Sequence, residues 1–424
     1  MNRLYLIVIL LAVITTSACD LVQKAPESAD IHWMINAPSD LSPSTFKIDK
    51  IYRDTILSFE KLHPSIKVTL DYFPQTQDFD FMKMIKGDQS PDIIPFGFFD
   101  LEGIDKDGLF VDLLGLVPNP KDIDIDKRIL DSVKFHEKLY VLPYSFSPLV
   151  VLYNKNLFDD IDEPYPENDW TWEQFRSISN KMLPGQGSDI AYDTYTFEAL
   201  AASKGTTLMA SDGSTFVGYL DSPESVEALK WLNAYYHDDT LKSGPRDPTV
   251  SGTAFNYGKK SMVIGDLEAY AFYKTSLGEA LGVASLPHFE GGKRVNPLSY
   301  LGFGISNKSK NPQAAWEFLN YLTLTNQEHT AALTQSYLTT SKSIGLAIHQ
   351  DTDPIKSILA NEINYAIKPQ GYVSPKYYQA QSPEIYTQFQ DLLNVDDNDV
   401  QDKLHDLALK LDKELDRLKT TADQ

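Results

Sequence analysis

The stretch "KLYVLPYSFSPLVVLYNKNLF", residues 138 to 158, constrains the fold of this chain more than any other. Its two halves, KLYVLPY and LVVLYNK, alternate β-branched and aromatic residues as strands do. Only Ser145-Phe146-Ser147-Pro148 separate them, and none of the Asn-Gly or Asp-Gly pairs that close a hairpin is present. The two strands therefore do not read as a hairpin, and the residues alone leave open where the second one goes.

At 424 residues the chain is too long for one ordinary core, which favours two or three domains. With 42% hydrophobic and 23% charged residues it can bury a large core as a soluble globular protein. A formal net charge of −21 repels phosphate backbones and anionic membrane surfaces, which weighs against nucleic-acid binding.

The N-terminus, "MNRLYLIVILLAVITTSACDL", has one basic residue, Arg3, then an apolar run to about Ile14 and small residues up to Cys19. This is the pattern of a secretory signal over residues 1–18, too short to remain as a spanning helix. Cys19 is the only cysteine, so no intrachain disulfide can form. Ser17-Ala18 directly before this lone Cys resembles a bacterial lipobox, with Thr16 where Leu is usual, and the resemblance implies acylation (a diacylglyceryl group and palmitate) at Cys19. Residues 19–29, polar and without periodicity, then suit a short tether. The expected location is the outer face of the bacterial cytoplasmic membrane, held by lipid.

"IHWMIN" alternates Ile31, Trp33 and Ile35 on one face; a helical pattern through Ile48, Ile51, Thr55, Phe59 and Leu62 follows, and "IKVTLDY" alternates again. Strand, helix, strand within about 40 residues is a βαβ unit and predicts a parallel sheet. A second helical stretch near 78–86 leads to the short strand "PDIIPF". Ligands of open α/β sheets bind outside the carboxyl ends of the strands, here Asn36-Ala37-Pro38 and Phe98-Phe99-Asp100. Later, Thr171 and Gln174 form a capping box, and Val226, Leu229, Leu232 and Tyr236 stripe one helix. A strand from Ser261 to Ile264 directly precedes Gly265-Asp266, and Leu404, Leu407, Leu411, Leu415 and Leu418 stripe the last helix.

No Walker loop, dinucleotide fingerprint, Gly-x-Ser-x-Gly elbow or His-Glu-x-x-His occurs, and the eight histidines are scattered; no metal or cofactor is expected. Asp266 and Glu268 in "GDLEAY" alternate onto one side of an extended chain. Two carboxylates are the equipment of a glycosidase, and they are also what hydrogen-bonds sugar hydroxyls. Aromatics make up 12% of the chain, and several fall at loop ends: Phe98, Phe99, Tyr144, Tyr195, Tyr270 and Tyr300. Such rings pack in cores, or stack on the C–H faces of sugars while acids and amides take the hydroxyls.

Four blocks in order resemble the extracellular solute-binding proteins of family 1: "KLYVLPYSFSPLVVLYNKNLFDD", "WTWEQF", "FNYGKKSMVIGD", and "ASLPHFEGGKR" with "GFGISNKSKNPQAAWEFLNYLT". The resemblance implies a type II periplasmic-binding-protein-like α/β fold: two lobes, a parallel-dominated sheet in each, and a ligand cleft between them. Ser145 to Pro148 would be hinge, with a return near Ser285 to Pro287 and a last crossing near Thr323 to Gln327. The lobes would hold residues 30–146 with 287–325, and 147–286 with 326–424.

Carried over by position, the resemblance implies a cleft lined by Trp33, Asn36, Phe98, Phe99, Asp100, Tyr144, Asp193, Tyr195, Asp266, Glu268, Tyr270 and Tyr300. Leu267 stands where many sugar binders of the family carry Trp, so a stacking platform there would be Tyr270; Trp172 and Trp316 match packing positions. The implied function is capture of a carbohydrate by lobe closure for an ABC importer, without enzymatic activity, by a monomer partnered with membrane permease subunits. The alternatives are the same fold for a polyamine, peptide or other solute, a secreted glycoside hydrolase using Asp266 and Glu268, and a structural surface lipoprotein.

Overall fold

The computed structural model describes residues 28–35, 43–73, 81–97, 101–237, 252–334, 337–370, 377, 380 and 383–422. The expected βαβ unit opens it: β1 (Ala29–Ile35), α1 (Pro43–Leu62) and β2 (Ile66–Tyr72), with β1 and β2 parallel in a register that sets Ala29 opposite Ile66. Period-two alternation buries Ile31, Trp33 and Ile35 and turns His32 outward. A short helix, α2 (Phe81–Lys86), precedes β3 (Ile93–Gly97), which flanks β1 on its other side, also parallel.

After α3 (Lys127–Val133), the stretch at residues 138–158 forms β4 (Val141–Ser147) and β5 (Val150–Asn154). These are not neighbours. β4 lies in a six-stranded sheet and β5 is the central strand of a three-stranded one. Every residue of β5 is buried, with Val150 and Leu152 in one hydrophobic cluster and Val151 and Tyr153 in the other. A strand covered on both faces explains a run as apolar as "LVVLY".

The second half continues with α4 (Trp172–Lys181), α5 (Thr194–Lys204), α6 (Pro223–Tyr236), β6 (Met262–Gly265), α7 (Leu267–Leu277), β7 (Leu281–Ser285), β8 (Asn296–Pro297) and β9 (Ser299–Ile305). It ends with α8 (Pro312–Asn320), α9 (Gln327–Leu333), β10 (Leu338–Thr339), β11 (Ala366–Ile367) and α10 (Val400–Ala422). Local signals act as read: Thr171 and Gln174 close a capping box on α4 at 3.2 and 2.8 Å, and Leu404, Leu407, Leu411 and Leu415 are buried along α10. Trp172 and Trp316 are core residues.

The fold is a two-lobed mixed α/β architecture of type II, with one correction to the strand directions. The large sheet runs β10-β4-β9-β3-β1-β2, in which β9 is antiparallel to both β3 and β4, and β10 is antiparallel to β4. The small sheet, β6-β5-β7, is antiparallel at both pairings. The cause is the crossing itself. β5 and β9 each arrive from the other sheet, so each enters at the edge where its neighbours end and runs against them.

The crossings also lie elsewhere than expected. Leu286 and Phe289 still pack in the second core, so the return is made at β8 rather than at Ser285 to Pro287. Thr323 to Gln327 is no crossing: α9 packs on α1 through a hydrogen bond between His329 and Thr55, and β10 pairs with β4. Residues 326–339 therefore stay with the large sheet, and the last passage runs by β11, which pairs parallel with β8.

All three passages meet at one side chain. The buried amide of Asn296 in β8 accepts from the Leu149 N–H at 3.0 Å and donates to the Leu149 carbonyl at 2.7 Å and to Glu362 at 2.9 Å. Glu362 also accepts from Arg294 at 2.6 Å, and the Arg294 guanidinium lies 3.9 Å from the centre of the Tyr365 ring.

Candidate functional site

Because β1, β3 and β4 run the same way, their carboxyl ends share one edge of the large sheet. The candidates there are Asn36 after β1, Phe98, Phe99 and Asp100 after β3, and Tyr144 with the hinge residues in β4. Asn36, Phe98, Phe99 and Asp100 lie outside the described residues, as do Cys19 and the expected secretory signal over residues 1–18.

Tyr144 sits where the pairing of β4 with β9 slips between Pro143 and Ser145, a bulge that turns its ring out of the regular pleat. The ring is half-buried and stacks on Phe303, centroids 5.2 Å apart. Burial pushes its hydroxyl pKa up, with the hydroxyls of Tyr52 and Tyr337 close enough to add to the shift.

Across from it, β6 stops at Gly265, and Asp266 caps α7 by accepting from the Ala269 N–H at 2.9 Å. Gly265 has no substitute here: a Cβ would stand 2.9 Å from that of Ala269 and 3.0 Å from a Leu152 methyl. The "GDLEAY" segment is thus a helix start and not an extended chain, which corrects the alternation expected of Asp266 and Glu268. Their carboxylates still meet the other sheet's residues. Ser147, the last residue of β4, donates to Asp266 at 2.9 Å, and Tyr337, next to β10, donates to Glu268 at 3.0 Å. Burial pushes the Tyr337 hydroxyl up, and the negative charges of Glu268 and Asp266 add to it. Glu268 itself is exposed, and Tyr270, two residues on, is half-buried and packed against the first core.

Asp193 and Tyr195 open α5. Asp193 is its N-cap, accepting from Thr196 N–H at 2.7 Å, and the half-buried Tyr195 donates to the Pro297 carbonyl in β8 at 3.4 Å. This pair therefore stands beside the crossing strands.

Two candidates are core residues instead. Trp33 is fully buried, edge-on to Tyr52, Phe303 and Phe318 at 5.1 to 5.9 Å. It shares the inward face of Ile31 and Ile35, so the strand's own pleat withholds it from solvent. Tyr300 lies inside β9 opposite Phe146, not in a loop before it, and its hydroxyl stands 2.7 Å from that of Ser132 on α3.

The site thus joins half-buried or exposed acids, a serine and tyrosines from both sheets. Carboxylates that accept, hydroxyls that donate and rings that offer flat faces are the equipment for a small polar ligand with apolar faces. Tyr337 and Ser147 were not among the sequence candidates. Tyr337 follows no strand, and only the β10–β4 pairing brings it here. Among the described residues no group of three or more His, Cys, Asp or Glu could hold a metal ion, and no helix is long and apolar enough to cross a membrane.

The family model for bacterial extracellular solute-binding proteins matches residues 43–328, well over half of the chain. The chain belongs to that family. Members of that family are extracellular proteins that bind solutes. Among curated relatives, the galactooligosaccharide-binding protein of Bacillus subtilis (strain 168) is 25% identical over 286 residues, 64% of this chain and 65% of that protein. A binding protein of Brucella abortus (strain 2308) is 26% identical over 205 residues, 44% of this chain and 46% of that one. This chain thus spans less than two thirds of the length of either relative.

Among solved structures, an ABC substrate-binding protein of Listeria monocytogenes in complex with cycloalternan superposes with a TM-score of 0.68 at 21% identity, covering 92% of this chain and 99% of that one. The cyclic alpha-maltosyl-1,6-maltose binding protein of Arthrobacter globiformis gives 0.72 at 16% identity, covering 91% and 99%. These likenesses establish the two-lobed solute-binding fold for this chain.

Proposed function

We propose that this solute-binding protein captures a carbohydrate, a mono- or oligosaccharide, between its two lobes and delivers it to the permease of an ABC importer, held to the outer face of the membrane by lipid on Cys19. The observation that carries the reading is the meeting of Tyr144, Ser147 and Tyr337 from the large sheet with Asp266 and Glu268 from the small one. Several relatives, by their names, bind oligosaccharides, which supports the same class here. Asn36, Phe98, Phe99, Asp100, Asp193, Tyr195 and Tyr270 complete the proposed cleft.

A ligand that touches both lobes only when they are closed shifts the population toward closure by its differential affinity. The segment at Leu149 and the strands β8 and β11 would absorb the rotation. Discrimination would come from hydroxyls on Asp266 and Glu268, since a ligand lacking one leaves a carboxylate unpaired.

The test is a thermal-shift screen of the purified protein against mono- and oligosaccharides, polyamines and short peptides. A ligand at about 100 times its Kd adds about 2.7 kcal/mol of stability. A sugar that raises the melting temperature and is recovered intact supports the reading. A response to polyamines alone would move the assignment to a cation, which the acid pair would also suit, and sugar consumption would make the protein a hydrolase. Fractionation of cells carrying Cys19→Ser tests the anchor: release of the protein from membranes is the expected result.

A further inference from the structure

The helix that carries the acid pair also carries an exposed ring. Glu268, Phe272 and Ser276 recur every fourth residue of α7, so they share one stripe of the helix, and all three are exposed. Tyr337 from the other sheet holds Glu268 at the cleft, so the stripe begins there and runs on along the helix for about 12 Å. Its far end meets the short helical turn Thr253–Asn256: Ser276 donates to Asn256 Oδ1 at 2.5 Å, and Phe255 packs edge-on to Tyr273 with centroids 4.9 Å apart. Tyr257 follows directly. Phe272 is 59% exposed and Tyr257 72%, more than any other Phe, Tyr or Trp among the described residues.

The opposite wall is apolar at one point as well. Leu301 of β9 stands opposite Gly97, the last residue of β3, and opposite Ser145 of β4, beside the bulge at Tyr144, and it is 38% exposed. A sugar ring bound at Asp266 and Glu268 has this side chain to cover, but it leaves Phe272, a turn farther along α7, in water. Rings set apart by hydroxyl, amide and carboxylate groups match the alternation of C–H faces and hydroxyls along a sugar chain. A protein partner would call for a continuous apolar patch, and Ser276 and Asn256 interrupt this one.

We propose that α7 carries the outer subsites of an oligosaccharide site. One sugar ring lies in the cleft, between Tyr144 and Leu301 on one side and Asp266 and Glu268 on the other, and the chain continues over Phe272 toward Tyr257. This rests on the carbohydrate reading above and narrows it from mono- or oligosaccharides to oligosaccharides. The outer contacts all come from the lobe of the small sheet, so the chain is held there before the lobes close. Closure then engages only the ring in the cleft.

Titration calorimetry of the purified protein against two length series tests it: glucose, maltose, maltotriose and maltotetraose, and galactose with the di-, tri- and tetrasaccharides of galactan. Affinity should rise from the monosaccharide to the trisaccharide in at least one series. Phe272→Ala should weaken the trisaccharide by about three- to tenfold, the worth of one stacked ring, and the shortest sugar that binds by less than about twofold. In Phe272→Trp the added indole should change its emission with the trisaccharide and not with that shortest sugar, against the native protein as reference. Binding of monosaccharides alone, a loss in Phe272→Ala that is equal at every length, or no loss at any length would overturn the inference and leave the carbohydrate reading standing. Silence of both series would overturn it too, and the carbohydrate reading falls with it only if every sugar of the thermal-shift panel is also silent.

Discussion

The Tyr337 hydroxyl lies 3.0 Å from Glu268 Oε2 and joins the strand that edges the large sheet to the helix that follows the small one. A ligand hydroxyl entering the cleft competes for this carboxylate. Glu268→Ala should therefore weaken the carbohydrate identified by the thermal-shift screen by roughly 10- to 100-fold, the worth of a hydrogen bond to a charged group. Because Glu268 is exposed, the melting temperature of the ligand-free protein should hardly change, and calorimetry on both proteins checks the pair of outcomes.

Asn296 holds the passages between the lobes together from a fully buried position. Asn296→Ala strands the Leu149 N–H and carbonyl and removes a donor from buried Glu362. A loss of about 2–4 kcal/mol in urea unfolding is expected, above the ordinary cost of a surface change. Asn296→Asp should do no better, since it brings a second carboxylate to Glu362.

The difference between Asn296 and Trp33 shows how far the sequence carries. Periodicity identified β1, β2, β5 and the striped helices because each buries one face or both, and that demand is written locally in apolar spacing. It also held the clue that Trp33 is core, since that residue alternates in step with Ile31 and Ile35; position at a strand end outweighed the pleat and misplaced it. What spacing does not carry is which strands are neighbours. Antiparallel insertion of β5 and β9, the late passage at β11 and the arrival of Tyr337 beside Glu268 are all products of sheet order. Asn296, set in a polar stretch of sequence, gave no sign that two distant segments, at Leu149 and Glu362, depend on it.

His329 is 2% exposed, and burial lowers its pKa to about 4 from the usual 6.5. In this window the unfolded chain binds a proton that the folded one refuses, so stability rises with pH. The contribution is complete above about pH 6.5 and is lost as pH falls toward 4, about 3 kcal/mol in all. His329→Gln should remove that slope. Urea midpoints across the window, compared between the two proteins, read it directly.

Glu198, 3% exposed on α5, works in the opposite direction over nearly the same range. Burial raises its folded pKa to about 7, above the usual 4.5, so the folded protein binds the extra proton. Its stabilising effect is whole below about pH 4.5 and is lost as pH rises through 7, again about 3 kcal/mol. Glu198→Gln keeps an oxygen for the Gln370 N–H and never ionises, so it should melt higher than the native protein at about pH 8 and no higher at about pH 4. The two buried groups offset each other in the native chain, and each single variant should expose the other's slope: stability rising with pH in Glu198→Gln, falling with pH in His329→Gln. If both variants instead keep the native profile, neither group is titrating in the core as its burial requires.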